Sequence, residues 1–252
     1  MGNSGIRNEY VFIDNIHGKT LRELNFLLQE LILYLFPNCN NNTVIECYKN
    51  IEYEKGDICI KVGEKIKYVS IKMGHKNSVH CESLNKFICF LRDNNVSEDI
   101  IYEILKYQYA DGTIDGSGTF RKSTSDYKVE NCNSIREINK QINNLDLLRK
   151  IINRFIIKGT QPQLNKIDVL VYGTVNDFLF ISRDEIYNYI LSKSNIESSS
   201  IHFSCLTFQP LSRNLNYNKK TEYMRHWIQI KWYNLEDNII ELMNERTKYL
   251  NK

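Results

Sequence analysis

The feature that most constrains the fold is the run YEKGDICIKVGEKIKYVSIKMGHKNSVHCE, residues 53–82. Gly56 opens DICIKV, Gly63 interrupts it, and KIKYVSIKM follows, with apolar and polar residues alternating on both sides of the break. Alternation with a period of two marks a strand with one buried face, and two such runs across a glycine turn mark an antiparallel hairpin. Residues two apart share a face, so Ser70 and Lys72 point the same way while Ile71 points to a core. A turn near Gly63 and Glu64 sets Asp57, at the start of the first strand, opposite residues 70–72. A carboxylate and an ammonium therefore meet at one end of the hairpin.

The flanking sequence supplies helices and further strands. Leu21, Leu24, Leu28, Leu31 and Leu35 repeat at helical spacing, with Thr20 as N-cap, Glu23 at N3 and Pro37 beyond the end, which predicts a helix over 20–36. A short strand is expected at 43–48, and a helix from about Ser78 through the 84–93 stretch. Helices follow at 97–109 and 134–158, strands at 167–173 and 178–182, and a helix at 183–193. Two more strand-like runs, HFSCLTFQPL and HWIQIKWYNL, precede a terminal helix at 236–250. This order predicts an α/β fold, a mixed β-sheet flanked by helices, with additional C-terminal strands and a helix. A length of 252 residues fits one domain over 1–252, its core about 20–110 and 134–252. The polar, glycine-punctuated stretch 110–134 reads as a loop or insertion.

Metal-assisted cleavage of a phosphodiester requires carboxylate oxygens to hold Mg²⁺ and a cation near the attacking water or the scissile phosphate. Taken singly, Asp57 after Gly56 also fits a turn aspartate, and Lys72 a solvated strand-end lysine. In combination, Gly56-Asp57 and Ser70-Ile71-Lys72, after a helix at 20–36, resemble the PD-(D/E)xK nuclease superfamily, the restriction-endonuclease-like fold. The second acid position of that motif holds Ser70. A subgroup with Ser-x-Lys takes its second carboxylate from the following helix, and Glu82, ten residues beyond Lys72, is the candidate here. The resemblance implies Asp57 and Glu82 as ligands of Mg²⁺, Lys72 as the residue that orients water, and Ser70 beside them. Glu46, Glu23 and Glu30 are alternative acids, the last two because the superfamily often draws a glutamate from the leading helix. Double-stranded DNA is the implied substrate, cut by a type II restriction or other anti-phage defence endonuclease, with a homodimer suiting a two-fold site. A nuclease fold retained only to bind DNA or assemble a complex is the alternative that Ser70 keeps open.

A net charge of +3 from 33 basic and 30 acidic residues does not by itself demand a polyanionic partner. Any DNA contact must come from placement. The candidates are His75 and Asn77 past the hairpin, Arg121 and Lys122 in the loop, then Gln209, Arg213, Lys219, Lys220, Arg225, Gln229 and Lys231. Each also fits an ordinary cap, loop or solvated surface. Two look-alikes are set aside. GSGTFRKS (116–123) has Arg121 where a phosphate-binding loop needs glycine, and Asn165-Lys166-Ile167-Asp168 mimics a guanine-binding tetrapeptide without such a loop. The 7 cysteines form no CxxC pair, and no apolar run reaches membrane length, so a reduced, cytoplasmic protein is expected.

Overall fold

The structure, a computed structural model, describes residues 3–50, 55–75, 77–161, 165–194, 198–211 and 219–250. Three consecutive strands, β1 (Glu46–Lys49), β2 (Ile58–Val62) and β3 (Lys65–Lys72), form an antiparallel meander. Its register pairs Ile58 with Val69 and Val62 with Lys65, so the predicted hairpin is present. The chain then makes β4 (Asn77–Ser83) in a second sheet. Later β5 (Val169–Thr174) pairs parallel with β3, and β6 (Asp177–Ser182) antiparallel with β5. The result is a five-stranded mixed sheet in the order β1-β2-β3-β5-β6.

The chain divides into two compact units. The first, Met1–Asn77 with Asn153–Tyr189 and Asn234–Lys252, holds the mixed sheet. Helix α1 (Asn3–Ile16) packs on β1 and β3, and α2 (Phe26–Leu35) on β6. Phe12 and Ile16 of α1 and Leu28, Leu31 and Ile32 of α2 are buried with Ile58, Ile60, Val69, Val169 and Val171. Each such side chain contributes about 1.5–3 kcal/mol on burial. This explains why β3 is apolar at Val69 and Ile71 in its second half, and leaves the opposite face there to carry Ser70 and Lys72.

The second unit comprises Ser78–Ile152 and Ile190–Tyr233. Its helices are α3 (Leu84–Asp93), α4 (Glu98–Tyr109), α5 (Thr124–Glu130), α6 (Cys132–Ile142) and α7 (Leu145–Ile152). Helix α8 (Arg183–Ser192) begins in the first unit, and β7 (His202–Phe203), β8 (Leu206–Pro210) and β9 (Trp227–Trp232) complete a sheet ordered β4-β9-β8-β7. Phe87, Phe203, Phe208 and Tyr107 pack ring against ring at 5.8–5.9 Å. Trp232 is buried, whereas Trp227 is 37% exposed. The terminal helix α9 (Leu235–Leu250) packs on β6 of the first unit. No helix among the described residues is long and apolar enough to cross a membrane.

Several boundaries differ from the sequence expectations. The 20–36 helix is two pieces: a 3₁₀ turn (Leu21–Glu23) capped by Thr20 with Glu23, then α2 capped by Asn25, whose Oδ1 accepts from Leu28 N–H at 2.8 Å. Residues 77–83 are β4 and not the start of a helix, which begins only at Leu84 after the Ser83 cap. Within 110–134, Thr124–Glu130 is helical. The 134–158 helix is broken after Ile142, where Asn144 caps α7 through Leu147 N–H, and continues as a π turn at Asn153–Ile157. The sequence reading contained no counterpart of α1.

Both look-alike motifs have structural work. Asp168 accepts from Lys67 Nζ and from the Tyr68 N–H, each at 2.9 Å, and so fastens β3 to the start of β5. In GSGTFRKS, a Cβ on Gly118 would lie 2.5 Å from the Asp111 carbonyl oxygen, so glycine is needed there for close backbone approach.

Candidate active site

Asp57 is locked into the sheet, at the entry to β2, by its own backbone. Its N–H donates to the Val69 carbonyl at 2.8 Å, and its carbonyl accepts from Asn50 N–H at 3.2 Å. Its side chain turns to the even-numbered face of β3. There Oδ2 accepts from Ser70 Oγ (3.0 Å), from the Ile71 N–H (2.6 Å) and from Lys72 Nζ (3.1 Å). Lys72 Nζ also donates to the Ile71 carbonyl at 3.1 Å. The Asp57 and Lys72 side chains are 22% and 21% exposed, so solvent reaches the pair without dissolving it. Ser70 is buried. Convergence of three donors, one of them charged, fixes both the carboxylate and the ammonium in place. The arrangement presents a hard oxygen ligand beside a cation, at the end of a rigid hairpin.

Tyr172, the register partner of Lys72 across β3 and β5, stands next to this cluster. Its hydroxyl lies 3.0 Å from the Gly74 carbonyl oxygen and 2.9 Å from Glu236 Oε2. Burial, then the hydrogen bond to Glu236, pushes its pKa up to about 12.

Glu9 was not anticipated. It lies on α1, is buried, and pairs with Lys49, the register partner of Ile58, which follows Asp57 in the chain. Its neighbour Asn8 donates through Nδ2 to the Gly173 carbonyl at 2.9 Å. The signal that could have found Glu9 is its seven-residue spacing from Ile16 on a weakly apolar segment, too faint to read alone.

The other predicted acids are placed as follows. Glu82 lies on β4 in the second unit and not on a helix, is buried, and has Oε1 3.1 Å from His80 Nε2. Glu46 is half-buried on β1, paired with Lys61 at 2.9 Å and bonded to the Tyr48 hydroxyl; the Tyr48 bond first, then Lys61, lowers its pKa. Because Glu46 faces Lys61, it lies four residues along β2 from Asp57, roughly 13 Å at strand rise. Glu23 is committed to the Thr20 capping box, whose hydrogen bonds lower its pKa, and Glu30 is exposed on α2. Among the described residues, no three His, Cys, Asp or Glu side chains gather closely enough to hold a metal ion.

The residues predicted to contact DNA are placed as follows. His75 is exposed just past β3, and Asn77 is buried, its amide donating to the Gly74 carbonyl at 2.7 Å. Arg121 is 8% exposed and donates to Glu222 at 3.1 Å; Lys122 pairs with Glu130. Arg225 is held by Asp111, Glu222 and the Gly118 carbonyl. Gln209 and Gln229 face each other across β8 and β9, as do Thr207 and Lys231. Arg213 lies outside the described residues, as do the side chains of Lys219 and Lys220.

No protein-family description and no curated protein sequence matches the chain. Among solved structures it is similar to the restriction endonuclease MspI, crystallised in complex with its cognate DNA: the TM-score is 0.61, over 91% of each chain, at 12% sequence identity. The chain has a restriction-endonuclease fold.

Proposed function

We propose that the chain is a divalent-metal-dependent endonuclease that hydrolyses phosphodiester bonds of double-stranded DNA, a restriction or other defence enzyme. The observation that carries this reading is the convergence of Ser70, Ile71 N–H and Lys72 on Asp57 Oδ2 at the end of the hairpin. Magnesium is held in such enzymes by one or two carboxylates with substrate phosphate and water completing an oxygen shell. Asp57 fits that donor chemistry, with the Ile71 carbonyl close by, as judged from its shared contact with Lys72. Bound there, the ion would supply Lewis-acid polarisation of the phosphate and a more acidic water.

The chain's own residues do the rest. Lys72 orients the attacking water and offsets charge on the phosphate, and Asp57 keeps its ammonium from swinging into solvent. Ser70 and the Ile71 N–H hold Oδ2 so that the carboxylate does not reorient when substrate arrives. In this reading Glu82 is the second carboxylate, and the protein acts as a cytoplasmic homodimer on a two-fold site. Purified protein incubated with supercoiled plasmid is expected to cut with Mg²⁺ and to be silent with EDTA; Asp57→Ala should be silent in both. Absence of cutting by the intact protein under any divalent ion would end the proposal.

Ser70 in the acid position favours a second reading, a DNA-binding subunit that does not cut. It differs in one measurable respect: DNA is retained with or without Mg²⁺, and the metal triggers nothing.

A further inference from the structure

We infer that Tyr172 is a positioning residue for Lys72: its hydroxyl fixes the chain as it leaves β3, and with it the seat of the ammonium. This rests on the nuclease reading and deepens it. Lys72 is the last residue of β3, so no ladder pairing beyond it defines where the strand goes next. Tyr172 is its partner on β5. Register partners in a parallel ladder project to the same side of the sheet, so the ring rises from the face that bears Ser70 and Lys72.

Two residues past Lys72 the chain turns at Gly74, whose φ of 72° is left-handed. The carbonyl of Gly74 is gripped from two directions, by Tyr172 Oη at 3.0 Å and by Asn77 Nδ2 at 2.7 Å. Tyr172 Oη is also 2.9 Å from Glu236 Oε2 in the first turn of α9. The hydroxyl therefore joins the stretch where the chain leaves the first unit, just past Gly74, to the stretch where it returns, just before Glu236. With its pKa raised to about 12 by burial and by Glu236, the phenol keeps its single proton in ordinary assay buffers, shared between the Gly74 carbonyl and the Glu236 carboxylate. Neither Tyr172 nor Glu236 touches Asp57 or substrate in this scheme; the effect passes through the Gly74 backbone.

Tyr172→Phe keeps the ring and removes one oxygen. With Mg²⁺ and plasmid DNA, kcat is expected to fall between about 10- and 100-fold while KM stays within about twofold, because displacement of a positioned group costs turnover more than binding. Glu236→Gln retains an acceptor at the same place and should cut within about threefold of wild type. Gly74→Ala, strained at a left-handed φ, should lower kcat as Tyr172→Phe does, and the double variant should be no worse than the poorer single one. Wild-type kcat in Tyr172→Phe overturns the inference. So does a rise in KM alone, or a loss of kcat that disappears well below the melting temperature. An inert wild-type protein is a different result: it condemns the nuclease reading, whereas an active wild type beside an unaffected Tyr172→Phe condemns only the role of Tyr172.

Discussion

Replacing Asp57 by alanine should cost stability as well as activity, which distinguishes this site from one built of crowded carboxylates, where neutralising an acid relieves repulsion. Oδ2 is the acceptor for Ser70 Oγ, Ile71 N–H and Lys72 Nζ. Ser70 and Ile71 are 3% and 5% exposed, so in Asp57→Ala their donors lose a partner that water cannot easily replace. A buried donor left unsatisfied costs about 1–3 kcal/mol. Lys72, about one-fifth exposed, can turn its ammonium to solvent and adds little. The two donors together give about 2–6 kcal/mol, which for a chain of this size lowers the melting temperature by about 4–24 °C. Asp57→Asn keeps an acceptor oxygen and the same volume, so its loss should be about half as large. Both variants should be inactive, because both lose the anionic ligand. Circular dichroism melts of the three proteins, run beside a plasmid assay, give the answer. An Asp57→Ala protein that melts at or above the wild-type temperature would refute the reasoning, since Oδ2 would then not be gathering these donors in solution.

Glu82→Gln should slow Mg²⁺-dependent cutting by about 100-fold or more if it supplies a ligand; cutting at the wild-type rate transfers the second-acid role elsewhere, with Glu9→Gln the next variant to assay. Burial pushes the Glu185 pKa up, but the Ser182 N–H and the Arg246 guanidinium outweigh it and leave it below its ordinary 4.5. A depressed carboxylate stabilises the fold above its ordinary pKa and loses that contribution as pH falls through the folded value. Urea unfolding should therefore show Glu185→Gln weaker than wild type at pH 7, with the gap closing on acidification below 4.5; a gap independent of pH would contradict this. Cys47 and Cys205, their thiol pKa values raised to about 12 by burial, should resist a thiol reagent until the protein unfolds, whereas exposed Cys81, Cys89 and Cys132 should react in the native state. Mass spectrometry after brief labelling reads both groups at once.

The hairpin and its three polar residues were legible because strand alternation, a turn glycine and sequence-local pairing carry the same information. Asp57, Ser70 and Lys72 lie within sixteen residues of each other, so no long-range packing was needed to foresee their meeting. Glu82 was expected on a helix because its surroundings hold two cap-like serines. Ser78 falls inside β4, and only Ser83 accepts from a helix N–H, that of Lys86. Which of the two starts the helix is decided by pairing of β4 with β9, a strand about 150 residues away in sequence and invisible to any local pattern. The same holds for α1. Its buried residues include Asn8 and Glu9, which are apt for a core only because Gly173 and Lys49 are there to receive them. The partners of the basic residues proposed for DNA were likewise illegible: Arg121 pairs with Glu222, and Arg225 with Glu222 and Asp111, across more than 100 residues in two of the three pairs.

The account turns on whether the Lys72 ammonium works beside Asp57 during cutting. Single-turnover cleavage of duplex DNA at saturating Mg²⁺, comparing wild type with Lys72→Ala, addresses it directly. Product should form with wild type, stop on addition of EDTA, and appear at least about 100-fold more slowly with Lys72→Ala. Equal rates for the two proteins, or cutting that persists in EDTA, would contradict it.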